Sequence, residues 1–178
     1  MELLTVYGLL VDDQNHDKNY HFFAKADVLN NKAVLCYIDR TLFDDGKSAD
    51  DTLEEVLHIR PQYHLTVYAT ALIRLVDTLG GIEIAGKKVN GEKALELVKD
   101  GRVDEVANAI AEAFRNAGNI FFVLPNLLSV LKNSYQTDLP ILEVVKTVIG
   151  EAGQLDSYQS ELYRVNKENA EEISAKLK

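Results

Sequence analysis

The chain has 178 residues, 47% hydrophobic and 26% charged, which is ordinary globular usage and excludes disordered, collagen-like and low-complexity classes. A chain of this length buries roughly two-thirds of its unfolded surface, enough for a proper core. Nineteen Lys and Arg against 28 Asp and Glu leave a formal charge of -9, without the basic face that a generic nucleic-acid binder needs, so no nucleic-acid partner is expected.

Leu3 to Val11 is a continuous apolar run closed by Asp12-Asp13-Gln14-Asn15, which predicts a buried first strand and its exit loop. The stretch MELLTVYGLL lacks the basic region of a signal peptide, and no apolar run reaches the ~18 residues of a membrane span. Phe22 to Leu29 and Lys32 to Ile38 read as a hairpin around Asn30-Asn31, because Asn tolerates positive φ. Cys36, the single cysteine, lies in the second of these runs and reads as a small core residue; no intrachain disulfide is available. After the polar loop Asp44 to Lys47, a short helix is predicted from Asp51 to His58, with Asp51 as cap and Glu54 in capping-box position.

Tyr63 to Tyr68 alternates like a strand. Leu72, Leu75, Val76 and Leu79 then mark one face of a helix that Gly80-Gly81 stops, since glycine supplies positive φ at a helix end. Ile82 to Ile84 and Lys87 to Val89 form a small hairpin, and Asn90-Gly91-Glu92 opens a helix to about Lys99. Val103, Val106, Ala107, Ile110 and Phe114 are the stripe of a further helix ending near Gly118. Helices are also predicted over Asn126 to Leu131 and after Thr137-Asp138, a strand over Ser157 to Val165, and a polar terminal helix over Asn169 to Lys178. Interleaved strands and helices with no composition break predict one three-layer α/β domain over residues 1–178, a mixed central sheet covered by helices.

The common catalytic motifs are missing: no complete Gly-x-x-x-x-Gly-Lys-Ser/Thr loop (Gly46-Lys47-Ser48 has Thr41 in place of its first glycine), no Gly-x-Ser-x-Gly elbow, no His-Glu-x-x-His and no Cys pair. His16 and His21 flank Asp17 without ligand spacing on one element, and His58 and His64 read as ordinary loop or helix-end histidines. The carboxylates Asp12, Asp13 and Asp17 follow the first strand, where Mg²⁺ sites occur, although acidic exit loops are common.

Several segments together resemble the LytR–CpsA–Psr family of bacterial cell-envelope proteins. They are Tyr63-His64-Leu65-Thr66-Val67, Leu75-Val76-Asp77-Thr78-Leu79-Gly80-Gly81-Ile82-Glu83-Ile84, Val89-Asn90-Gly91-Glu92-Lys93-Ala94-Leu95, Thr137-Asp138-Leu139 and Leu155-Asp156-Ser157-Tyr158-Gln159, with Ile38-Asp39-Arg40-Thr41 in the place of a Pro-Arg-Asp-Thr segment. The resemblance runs in order along nearly the whole chain. It implies a Gram-positive envelope protein, extracytoplasmic where an N-terminal anchor precedes Met1 and cytoplasmic otherwise. Family members are Mg²⁺-dependent phosphotransferases that move glycopolymers from polyprenyl-pyrophosphate carriers to peptidoglycan, and the lipid lies in an apolar tunnel. Some carry the description of LytR-family transcriptional regulators.

Carried over one position at a time, the family's site is thinned. Its Arg-Ser-Asp-Thr falls on Lys18-Asn19-Tyr20-His21, without the aspartate. The arginine of Pro-Arg-Asp matches Arg40, but the flanking residues are Asp39 and Thr41. The first-strand aspartate falls at Leu10 or, with a small gap, Asp12. The paired arginines fall on Lys99 and Gly101, with Arg102 one place off. The later Asp-x-x-Arg-x-x-Arg-Gln falls on Asp104 to Ala111, where both arginines are apolar. Arg40, Lys99 and Arg102 are therefore the candidate phosphate-binding residues and Asp12 the candidate Mg²⁺ ligand.

Phosphoryl transfer depends on positioning and on cations that neutralise developing charge. The resemblance thus implies a degenerate domain, a pseudoenzyme that binds a polyprenyl-phosphate-type lipid, a glycopolymer or a partner with little or no catalysis. Two alternatives stand beside it: an active phosphotransferase with relocated residues, and an intracellular regulatory or binding domain that shares only the fold.

Overall fold

A computed structural model describes residues 3–13, 19–27, 30, 32–43, 46–116, 134–140 and 159–178. The helices predicted over Asn126 to Leu131 and after Asp138 lie outside these residues. Six strands form one mixed sheet in the order β7-β4-β1-β2-β3-β8, where β1 is Leu3–Val11, β2 Asn19–Asp27, β3 Lys32–Ile38, β4 Tyr63–Tyr68, β7 Tyr135–Thr137 and β8 Gln159–Val165. β5 (Ile82–Ile84) and β6 (Lys87–Val89) make a separate antiparallel pair. The helices are α1 (Ala49–Leu57), α2 (Ala69–Thr78), α3 (Gly91–Lys99), α4 (Val103–Asn116) and α5 (Ala170–Leu177). This is the α/β class read from the sequence, with a mixed sheet: β2 and β3 are antiparallel, and β3 and β8 are parallel.

The chain groups into two compact units. The first holds Met1–Leu10, Lys18–Thr66 and Thr137–Lys178; the second holds Val11–Asp17 and Val67–Gln136. The first has a core of Tyr7, Phe23, Cys36, Ile38, Leu53, Leu57, Val165, Ile173 and Leu177. Cys36 is buried there as a small apolar residue, and burial pushes its thiol up to about 12. The second is built on Leu72, Val76, Ile82, Leu95, Val98, Val103 and Val106, with α2 against α3, α3 against α4 and α4 against β5.

Several boundaries move from the sequence expectation, each for a local reason. α1 begins earlier because Ser48, not Asp51, is its cap: Ser48 Oγ accepts the Asp51 N–H at 3.1 Å. β2 starts at Asn19, three residues before the apolar run, and His21, also ahead of that run, already pairs opposite Ile38 of β3. Thr137 belongs to a short strand, and its hydroxyl donates to the His64 carbonyl at 2.6 Å. The terminal helix is not merely polar. Ile173, Ser174 and Leu177 are buried, and Ser174 donates to the Leu57 carbonyl at 2.7 Å, fixing α5 to the end of α1.

Two helices end in the same way. Gly81 N–H reaches Val76 O and Gly80 N–H reaches Asp77 O, both at 2.9 Å, with positive φ at Gly80. Arg102 N–H reaches Leu97 O at 2.9 Å and Gly101 N–H reaches Val98 O at 3.0 Å, with Gly101 at φ +83°. Both are Schellman closures, which satisfy the last helical carbonyls through a left-handed residue.

Candidate functional site

Asp12 leaves the end of β1 and Lys99 is the last residue of α3, both in the second unit. Lys99 Nζ stands 2.8 Å from Asp12 Oδ2, and Asp12 is 1% exposed. The approach is an ion pair at contact distance without hydrogen-bond alignment. Beside it, Asp13 Oδ2 accepts from Thr70 Oγ1 at 3.0 Å, while Asp13 Oδ1 is buried without a hydrogen-bond partner. A carboxylate taken from water is tolerated only when a counter-charge faces it, and Lys99 supplies one.

Arg102 is one turn from this pair in sequence but is engaged elsewhere. Its Nε and Nη2 hold both carboxylate oxygens of Glu105, at 2.7 and 2.5 Å, on the exposed start of α4. The fork-to-fork geometry holds Glu105 below the usual carboxylate range. Gly101 between Lys99 and Arg102 is the left-handed residue that closes α3, so a side chain at this position carries backbone strain.

Arg40 lies in the first unit, exposed, at the start of a 3-10 turn over Arg40–Leu42 that follows β3. The turn is set by Asp39, whose carboxylate accepts the Thr41 N–H and hydroxyl, each at 2.9 Å. Those bonds, the backbone one first, hold Asp39 below the usual carboxylate range. The guanidinium charge of Arg40 is felt at His21. Burial first, and then Arg40, lower His21 to about 4. The Asp12–Lys99 pair and Arg102 thus belong to one unit and Arg40 to the other.

The residues do not fit Mg²⁺ at Asp12. The Lys99 ammonium already faces one oxygen of Asp12, Oδ2, and would repel a divalent ion placed at the same carboxylate. Among the described residues no three His, Cys, Asp or Glu side chains converge on a metal position. His16 and Asp17 lie outside the described residues. An open hollow of about 300 Å³ between the β5–β6 hairpin and α4 is lined by Glu83, Ala85, Gly86, Ala109, Glu112 and Asn116, which is polar and acidic, unlike a lipid tunnel.

A group of side chains in the first unit was not legible in the sequence. Tyr7 Oη lies 2.7 Å from His21 Nδ1, and the His21 ring stacks on Phe43 at 3.9 Å between centroids. His64 sits on β4, not at a loop or helix end, with Asp50 and Asp138 on its two ring nitrogens. His58, by contrast, is a helix-end residue, the left-handed cap of α1. His64 and Asp138 both lie in segments that carry the family resemblance, and Thr137-Asp138 reads as a helix start, but nothing local in the sequence shows that Asp50 and Asp138 meet His64.

The segments that carry the family resemblance also have a visible packing role. Asp77 Oδ1 accepts the Gly91 N–H at 2.8 Å, tying the end of α2 to the start of α3. A Cβ at Gly91 would stand 2.3 Å from Ile73 O, so only glycine permits this approach. Asp77, Gly80, Gly81 and Gly91 are therefore residues of architecture.

The mixed sheet and its helices have the LytR–CpsA–Psr fold. Protein gbs0355 from Streptococcus agalactiae superposes with a TM-score of 0.77 at 15% identity, covering 99% of this chain and 86% of that one. TagT bound to LI-WTA superposes at 0.71 with 15% identity over 99% of this chain and 89% of that one. Bacillus subtilis TagV gives 0.70 with 13% identity over 99% and 96%. No protein-family model and no curated protein matches the sequence. At such identities the likeness establishes the fold, and chemistry must be argued from the residues. Among the described residues, no helix is long and apolar enough to cross a membrane.

Proposed function

We propose that this chain is a non-catalytic LytR–CpsA–Psr-fold domain of the cell envelope, acting outside the cytoplasm and binding a polyprenyl-phosphate-type lipid. The observation that carries the reading is the buried Asp12–Lys99 pair. A site for phosphoryl transfer needs cations free to neutralise phosphate and a carboxylate free to hold metal. Here one cation neutralises the carboxylate itself, and Arg102 is held by Glu105. TagT, of the same fold, is bound to LI-WTA, which supports a related envelope ligand for this chain. Arg40 keeps its residue type and its exposure at the end of β3, and its planar fork suits a phosphate headgroup.

The test is binding of a polyprenyl phosphate to the full chain, with Arg40→Ala as the variant and a phosphotransfer assay in parallel. Expected are measurable binding, a loss of roughly ten- to a hundredfold in Arg40→Ala, and no transfer with or without Mg²⁺. Transfer above background would establish the active-enzyme alternative. Absence of lipid binding in the parent chain would favour an intracellular binding domain that shares only the fold.

A further inference from the structure

One imidazole in the first unit is gripped from both sides by carboxylates of different elements. His64 Nε2 lies 2.7 Å from Asp50 Oδ1 on α1, and Nδ1 lies 3.2 Å from Asp138 Oδ2, just past β7. Asp138 also accepts the His64 backbone N–H through Oδ1 at 2.6 Å. A neutral imidazole has one N–H, so between two carboxylates it would turn a lone pair toward an anion on one side. Only the imidazolium donates on both sides. We infer that protonated His64 is a pH-sensitive strut that joins α1 to the segment after β7, and that loss of its proton releases one of the two carboxylates.

The groups around the strut are one competing cation and two neutral rings. Arg60 Nε is 4.0 Å from Asp50 Oδ2 and shares that carboxylate from its outer side. The Tyr7 ring meets His64 edge-on at 6.2 Å between centroids; burial and then Asp50 push its phenol up to about 12, so it stays neutral. His21, bonded to Tyr7, is also neutral near pH 7, being lowered to about 4. The bond to Asp50 first, and that to Asp138 against partial desolvation, hold His64 above its ordinary value. A raised folded-state value means that the strut is fully present below the ordinary histidine range, about pH 6.5, and is lost as pH rises through the raised value. This inference does not depend on the lipid-binding reading.

The experiment is a ring-nitrogen NMR titration of the full chain, with thermal unfolding of the parent, His64→Gln and Asp138→Asn across pH. Expected is a His64 midpoint above about 6.5 in the parent and a lower one in Asp138→Asn. The melting temperature of the parent should exceed that of His64→Gln at about pH 6, and the gap should close toward about pH 9. A parent midpoint at or below the ordinary value, or a gap that does not change with pH, overturns the inference. The titrations of the parent and of Asp138→Asn, which alters an exposed side chain, decide the matter even where His64→Gln folds poorly.

Discussion

Lys99 closes α3 with its ammonium 2.8 Å from the carboxylate of Asp12, a group that is almost wholly buried beyond the end of β1. Removing one partner of such a pair exposes the desolvation cost of the other, which is several kcal/mol, whereas removing both need not. Lys99→Met should therefore lower stability by about 3–5 kcal/mol in denaturant unfolding at pH 7. The double variant Asp12→Asn/Lys99→Met should recover part of that loss. A single-variant loss under about 1 kcal/mol would falsify the buried pair as a stabilising contact.

The same pair makes a prediction about metal. Millimolar Mg²⁺ should leave the melting temperature of the parent nearly unchanged, because the ammonium repels a divalent ion at the same carboxylate. In Lys99→Ala the competing ammonium is gone, and the same Mg²⁺ should raise the melting temperature. An equal response in both proteins would mean that Lys99 does not exclude the ion.

Gly91 is placed where α3 starts against the backbone of α2. Gly91→Ala puts a Cβ 2.3 Å from Ile73 O, a backbone atom, so the two helices must separate. The expected loss is roughly 3 kcal/mol, at the upper end of overpacking costs. Asp77→Ala removes the acceptor of the Gly91 N–H and should cost about 1 kcal/mol. Thermal unfolding decides between this and a ligand role, which predicts altered binding with unchanged stability.

Ser174→Ala tests the attachment of α5. Its hydroxyl is buried and donates to the Leu57 carbonyl at the end of α1, so the substitution leaves that carbonyl without this donor. A loss of about 1–3 kcal/mol is expected. Hydrogen exchange should report it as faster opening of α5.

His21 sets an acid limit on stability. Burial and then Arg40 lower it to about 4, so its neutral form stabilises the fold. For a base with a depressed folded value, that contribution is complete above the unfolded value near 6.5 and is lost as pH falls through about 4. The size is roughly 1–2 kcal/mol over that window, once solvent screening of this partly exposed ring is allowed for. His21→Phe keeps a ring against Phe43 and should flatten the acid limb of a stability–pH profile. An unchanged acid limb would assign the loss to carboxylates instead.

The sequence alone determined the elements and their ends wherever the signal is short-range. The alternation of Tyr63 to Tyr68, the stripe through Leu72 and Val76, the Asn90 cap and the Gly80-Gly81 stop each use contacts within a few residues. The fold was indicated by the order of the family segments along nearly the whole chain, two of which meet where α2 and α3 approach closely at Asp77 and Gly91. Tertiary structure decided which charges meet. Asp12 could have faced a metal; the fold instead brings Lys99, from the far end of α3, to its carboxylate, whereas the Arg102–Glu105 pair is a local one along the start of α4. Asp138 lies 74 residues from His64 and follows a three-residue strand that has too little length to announce itself by periodicity. Burial and pairing are properties of the assembled chain, since a side chain's solvation depends on what covers it and not on its neighbours in sequence.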